Sequence, residues 1–428
     1  MCRSQFWMNS VICGYLSKFW NCIFRGSKSN MSAPESASTA VDLHEQTKKF
    51  ERLNDHVYLL KQETNPEVVI VFFHGLLVDE SEKEHAFWST WRVRGSNDCW
   101  PITLLPTRLN SLTEVPHRIR VLAVSYESRV SVPEVQIRAT DKHLLSENFI
   151  QSLVISGLCR NEELDRDVPI ILVGHDMGGI LIKNFIMEVE RAAVTTKTEQ
   201  AKLVNFLKSL KAVLFFSTPN NGSKVIEKIA GTIPKENRSE LLKLMAVLGS
   251  ELSRINSEFK IYRAQSGFQT FAIVASYQTR LNQGSEAVMV VEEGSARYDV
   301  DGYYSVAADH FQMCQPEALW SYPVTKLSDD VRKIAKAERE KDLEQRYQKL
   351  KAVDHVVSDE VHRQISNGKK IAIAESEKDL ELEEKVKGLP QRLQELKAVP
   401  GRLYSYGLKE DEVHIDRDQD QFLLIQPR

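Results

Sequence analysis

The chain has 428 residues, of which 42% are hydrophobic and 27% charged, and its formal net charge is −3. That balance excludes a wholly disordered or collagen-like chain and leaves room for one large domain or two ordinary ones. A charge this close to neutral gives no electrostatic footprint for nucleic acid. The six cysteines, at 2, 13, 22, 99, 159 and 314, form no Cys-x-x-Cys pair and no cluster with histidine. Their scatter argues for a reducing compartment and against a metal site.

Residues 1–34 carry Arg3, Lys18, Arg25 and Lys28 and no acid. Apolar pairs recur every fourth residue, as at Trp7-Met8, Val11-Ile12, Tyr15-Leu16 and Phe19-Trp20. That spacing is helical, although the stripe spirals against the 3.6-residue turn. The segment reads as a targeting helix, an interfacial membrane anchor or a docking helix. Residues 35–51 read as a linker.

From residue 52 to 325, short β-branched runs alternate with amphipathic stretches. The runs fall at 68–73, 120–126, 168–173, 212–216, 268–275 and 287–291. Consecutive apolar positions suit strands buried on both faces, so the pattern predicts an α/β fold with a mostly parallel sheet covered by helices. Residues 326–428 are charge-dense, with a loose echo between Glu340-Lys341-Asp342-Leu343-Glu344 and Glu377-Lys378-Asp379-Leu380-Glu381. This C-terminal extension reads as a solvated helical appendage, with a helical protein-binding arm as the alternative.

The most informative segment is the apolar run 168–173 followed by Gly174-His175-Asp176-Met177-Gly178-Gly179. It has the form of a nucleophile elbow, in which a sharp turn between strand and helix pushes the central side chain into a cleft. Gly174 and Gly178 fit because a Cβ at either flank would clash. The bland alternative is a glycine-bearing turn with aspartate at a helix N-cap. Three further segments occur in the order such a site needs. They are Phe73-His74-Gly75-Leu76 at an earlier strand end, Ser217-Thr218-Pro219 after the next strand, and Asp309-His310 near the end.

Together with Trp100-Pro101, Leu105-Pro106, Leu181-Ile182-Lys183 and Cys314-x-Pro316, these pieces resemble the lipase-like branch of the α/β-hydrolases. That branch includes the serine-active-site-containing proteins and the GPI inositol-deacylases, and the resemblance covers about residues 68–316. It implies hydrolysis of lipid or acyl esters, a lipid or small-molecule substrate, association with mitochondrial or endoplasmic-reticulum membranes, and no cofactor. Carried over by position, it makes the Leu76 and Met177 N–H groups the oxyanion donors and His310 the general base.

The sequence departs from that pattern at two of three triad positions. Asp176 stands where the family has serine, and Gln278 stands where it has an acid. Asp301 and Glu293, with Glu292 and Asp299, lie on the approach to His310 as replacement acids. A carboxylate attacking an acyl ester gives an anhydride, whereas attack on an sp³ carbon gives an alkyl ester that water activated by His310 can hydrolyse. Epoxide hydrolases and haloalkane dehalogenases are similar at a Gly-His-Asp elbow. Two classes therefore stand: a hydrolase working through Asp176 and His310, or a catalytically silent pseudoenzyme used for binding or as a scaffold. In either, the two side chains are expected within about 5 Å. Residues 225–260 read as a helical lid or as core helices, and Trp88, Trp91 and Trp100 as packing more than cleft lining.

Overall fold

A computed structural model describes residues 43–374, apart from 78–82, 113–116, 162–165, 248 and 281–285. The expected helix at 1–34, residues 35–42 of the linker and the second half of the charged echo lie outside the described residues, and the rest of the expected linker includes a helical turn at 43–47 and the start of a strand at Glu51.

Eight strands form the main sheet. They are β1 (Glu51–Arg52), β2 (Val57–Lys61), β3 (Val68–Phe73), β4 (Ile119–Val124), β5 (Ile170–His175), β6 (Leu210–Phe216), β7 (Gln269–Ala275) and β8 (Gly302–Val306). Their order is β1-β2-β4-β3-β5-β6-β7-β8. The first three strands in that order pair antiparallel, and every later pair is parallel.

Alternation along β3 shows how the sequence builds two cores. Val69, Val71 and Phe73 point to the face that also buries Ile180, Leu181, Phe185 and Phe259. Val68, Ile70 and Phe72 point to the face that buries Phe87, Trp88, Trp91 and Trp100. Successive strand side chains alternate faces, so a run apolar at every position is covered on both sides. Each such side chain contributes about 1.5–3 kcal/mol of transfer free energy. The three tryptophans are fully buried, as packing residues.

Helices α1 (Lys142–Phe149), α2 (Met177–Thr195) and α3 (Gln200–Ser209) cover the first face. The stretch 225–260 folds as α4 (Lys224–Thr232), α5 (Glu240–Leu244) and the start of α6 (Ser250–Ser266). Leu241, Leu242, Met245 and Leu252 are buried in the core, which makes these core helices.

Two features differ from the sequence reading. Within 287–291 only Ala287–Val288 is a strand, and it pairs with Thr279–Arg280 away from the main sheet. The last strand is instead β8, an edge strand whose Tyr303 and Tyr304 are partly exposed, so it carries no two-sided apolar run. Helix α7 runs Tyr322–Ala374. Val324, Leu327, Val331 and Ala335 along its first turns are core residues, at the 3-and-4 spacing of one helical face. The first compact unit closes at Leu343 and the second opens at Glu344. Among the described residues, no helix is long and apolar enough to cross a membrane.

Candidate active site

The site lies where β5 turns into α2. Asp176 sits between them with φ 50° and ψ −122°. For a non-glycine residue that is a strained conformation, costing about 1–3 kcal/mol. It persists because the turn is held from several sides. The Asp176 N–H donates to the Phe216 carbonyl at 2.9 Å. A Cβ on Gly178 would come within 2.4 Å of the His74 carbonyl oxygen, and one on Gly174 within 2.7 Å of the Gly179 nitrogen. These contacts force glycine on both flanks, and they bring the end of β3 against the elbow. With this strand order and this turn, the chain has an α/β-hydrolase fold.

Asp176 is 4% exposed and His310 is 3% exposed. Oδ2 of Asp176 accepts from the Leu76 N–H at 3.2 Å. Oδ1 has no hydrogen-bond partner among the described residues. It lies 3.6 Å from Nε2 of His310. Burial pushes the Asp176 carboxyl above its ordinary range, against the pull of His175 and of the Leu76 and Met177 N–H groups. Those two amides, assigned from sequence as an oxyanion pair, thus face the protein's own carboxylate.

His310 reaches the elbow from the loop after β8. Its N–H donates to Thr279 Oγ1 at 3.2 Å. The side chain of the preceding Asp309 caps the following turn, accepting from the Phe311 and Gln312 N–H groups. The His310 carbonyl accepts from Nε2 of His175 at 3.1 Å, which fixes the proton of His175 on that nitrogen. The two rings lie 4.9 Å apart. Burial lowers the His310 imidazole to about 3, so it is neutral at physiological pH. Its Nδ1 has no hydrogen-bond partner among the described residues.

The candidate acids sit elsewhere. Asp301 bonds Arg263 and the Thr270 N–H and hydroxyl. Glu293 pairs with Arg297 at 3.4 Å. Gln278 is exposed, although its neighbours Tyr277 and Thr279 both bond the 308–310 loop. The structure therefore brings Asp176, His310, Leu76 and Met177 together and leaves Gln278, Asp301 and Glu293 without a bond to His310. Among the described residues, no group of three or more His, Cys, Asp or Glu side chains is placed to hold a metal.

One residue at the site escapes a motif reading. Tyr126 follows β4, its ring stacks on His74 at 4.1 Å, and its hydroxyl donates to the His74 carbonyl. The sequence shows it only as the last residue of an apolar run.

No family model matches the chain. It is 23% identical over 308 residues to Protein SERAC1 of Mus musculus, covering 67% of this chain and 42% of that protein. With Protein SERAC1 of Danio rerio the identity is 22% over 290 residues, covering 62% and 40%. The chain thus spans less than half the length of the curated relatives it matches. Among solved structures, the mature lipase BlEst2 of Bacillus licheniformis aligns with a TM-score of 0.37 at 14% identity, covering 64% of this chain and 97% of the lipase. The peroxisomal α/β-hydrolase Lpx1 of Saccharomyces cerevisiae aligns with a TM-score of 0.32 at 12% identity, covering 87% and 95%.

Proposed function

We propose that the chain is a hydrolase in which Asp176 attacks an sp³ carbon and His310 activates the water that releases the product. The division of labour between the two Asp176 oxygens carries this reading. Oδ2 is tied to the Leu76 amide, and Oδ1 lies beside the base with no hydrogen-bond partner among the described residues.

The chemistry follows from that division. Oδ1 forms a bond to the substrate carbon while the carbon–leaving-group bond breaks, and the leaving group takes the electron pair. The product is an alkyl ester of Asp176 whose carbonyl oxygen is Oδ2. His310 then accepts a proton from water at Nε2, and hydroxide adds to Cγ. Negative charge gathers on Oδ2, where the Leu76 amide already points, so its dipole needs no reorganisation. Collapse breaks the Cγ–Oδ1 bond while His310 returns its proton to Oδ1, releasing an alcohol that carries the aspartate's own oxygen and leaving a neutral His310. Acyl esters fit this site poorly, because the Leu76 amide that would hold their oxyanion is occupied by Oδ2.

Burial of both groups favours a small, neutral electrophile, such as an epoxide or a primary alkyl halide, over a long-chain ester. Single turnover of such a substrate in heavy-oxygen water tests the reading. Label in Asp176 and not in the alcohol supports it, and label in the alcohol alone refutes it.

A second reading, a silent hydrolase-fold binding protein, is favoured by Nδ1 of His310, which has no partner among the described residues. A buried N–H without an acceptor costs about 1–3 kcal/mol, and an active base ordinarily has a carboxylate there. Under that reading Asp176 simply fills the vacated oxyanion site.

A further inference from the structure

We propose that Tyr126 is a positioning residue that aims the Leu76 amide at Asp176, through its hydroxyl bond to the His74 carbonyl. The inference rests on the reading that this amide serves the Asp176 carboxylate, but its test needs no turnover.

The 74–77 turn is anchored at both ends by the segment that follows β4. At the near end, the buried Tyr126 hydroxyl donates to the His74 carbonyl, and its ring lies within 11° of parallel to the imidazole. At the far end, the Leu77 N–H donates to the Ser128 carbonyl at 2.9 Å, and the Val130 N–H returns to the Leu77 carbonyl at 2.8 Å. Leu76 lies between the two anchors, with its N–H on Oδ2 of Asp176. Within the turn, Nδ1 of His74 donates to the Gly75 carbonyl at 2.9 Å. A carbonyl only accepts, so His74 carries its proton there. Burial holds this imidazole down at about 4, and it stays neutral with no charge to pull the turn elsewhere.

The two anchors differ in kind. The far anchor is backbone and continues outward, where Val132 N–H meets the Asn237 carbonyl at 3.0 Å and Ser239 N–H meets Val130 at 3.2 Å. The near anchor is made by side chains, the Tyr126 hydroxyl on the His74 carbonyl and the Ser128 hydroxyl 3.5 Å from Nδ1 of His74. The Tyr126 hydroxyl bonds a carbonyl against which Gly178 also packs, so it sets the height of the turn over the elbow. Burial raises the Tyr126 phenol well above its usual range, and the Asp176 charge adds to that, which places the hydroxyl within the field of the carboxylate. The phenol is thus a permanent donor.

Tyr126→Phe keeps the stacked ring and the backbone anchor and removes only the hydroxyl bond. Carbon-13 NMR of the Asp176 carboxyl and hydrogen exchange of the Leu76 amide read the effect. We expect the Asp176 midpoint to move further up and Leu76 exchange to quicken by about tenfold or more, the scale of losing a hydrogen bond to a charged group. Leu77 exchange should stay unchanged. An unchanged Asp176 midpoint and Leu76 exchange would overturn the proposal, whatever happens to thermal stability. Should the variant fail to fold, 3,5-difluorotyrosine at position 126 gives the opposite perturbation. Its stronger donor should lower the Asp176 midpoint and slow Leu76 exchange, and no change would overturn the proposal equally. Failure of the heavy-oxygen experiment alongside these shifts would discard the carbon-attack chemistry and leave the positioning role standing.

Discussion

Oδ1 of Asp176, without a hydrogen bond among the described residues, lies 3.6 Å from Nε2 of His310, while Oδ2 is held by the Leu76 amide. One carboxylate thus presents a fixed oxygen and a free one, the arrangement that attack through one oxygen and charge stabilisation on the other require.

Asp176→Asn keeps the shape and a carbonyl oxygen for the Leu76 N–H but removes the nucleophile. Turnover should vanish. Stability should rise at neutral pH, because burial raises the folded-state value of Asp176 above its unfolded one. A group raised in this way opposes folding increasingly as pH climbs from the unfolded value, about 4, through the folded one. The difference in urea midpoint between variant and wild type should therefore grow with pH across that window and then level off.

Asp176→Ser vacates the Leu76 amide that Oδ2 now occupies. Hydrolysis of p-nitrophenyl acetate should rise above wild type by about tenfold or more, since each oxyanion donor is worth about 10²–10³ in rate when correctly used. The gain should stay far below that of a complete triad, because Nδ1 of His310 has no acid partner among the described residues. Adding Gln278→Glu tests whether the loop beside His310 can supply one.

The glycine-flanked elbow and the late histidine were legible in the sequence because steric need writes them as residue types at fixed spacings. Gly174 and Gly178 have no room for a Cβ, and His310 follows the last strand of the sheet. The acid was not legible. Asp301 and Glu293 look equivalent on the page, yet Arg263 and Arg297 hold them in other ion pairs. Edge strand β8 was hidden because one-sided pairing leaves Tyr303 and Tyr304 partly exposed. The core face of α7 was hidden by the charges on its other sides. Tyr126 was invisible as a site residue because its role is a single hydrogen bond to a carbonyl 52 residues earlier.

Lys183, 1% exposed, donates to Asn256 Oδ1 at 2.9 Å and lies over the rings of Phe215 and Phe259. Burial lowers it to about 7. Folding then excludes a proton that the unfolded chain binds, so stability falls as pH drops from about 10.5 toward 7 and is flat below. Lys183→Met should stabilise the protein by about 1–3 kcal/mol at pH 7, after the orphaned Asn256 oxygen is set against the relieved ammonium. The gain should be smaller at pH 9, as urea unfolding at the two pH values would show.

Gly178→Ala should cost about 1–3 kcal/mol or more, since its Cβ meets backbone rather than a movable side chain. The thermal midpoint should fall, and the Leu76 amide should lose its contact with Asp176, visible as faster hydrogen exchange.

The intact mass of His310→Gln after incubation with a panel of small epoxides and primary alkyl bromides tests the central claim most directly. On the proposed chemistry, the protein without its base should stall as the alkyl ester, giving one stoichiometric adduct that peptide mapping places on Asp176 and that Asp176→Asn abolishes. Adducts confined to other residues, or none in His310→Gln across the panel, would contradict attack by Asp176.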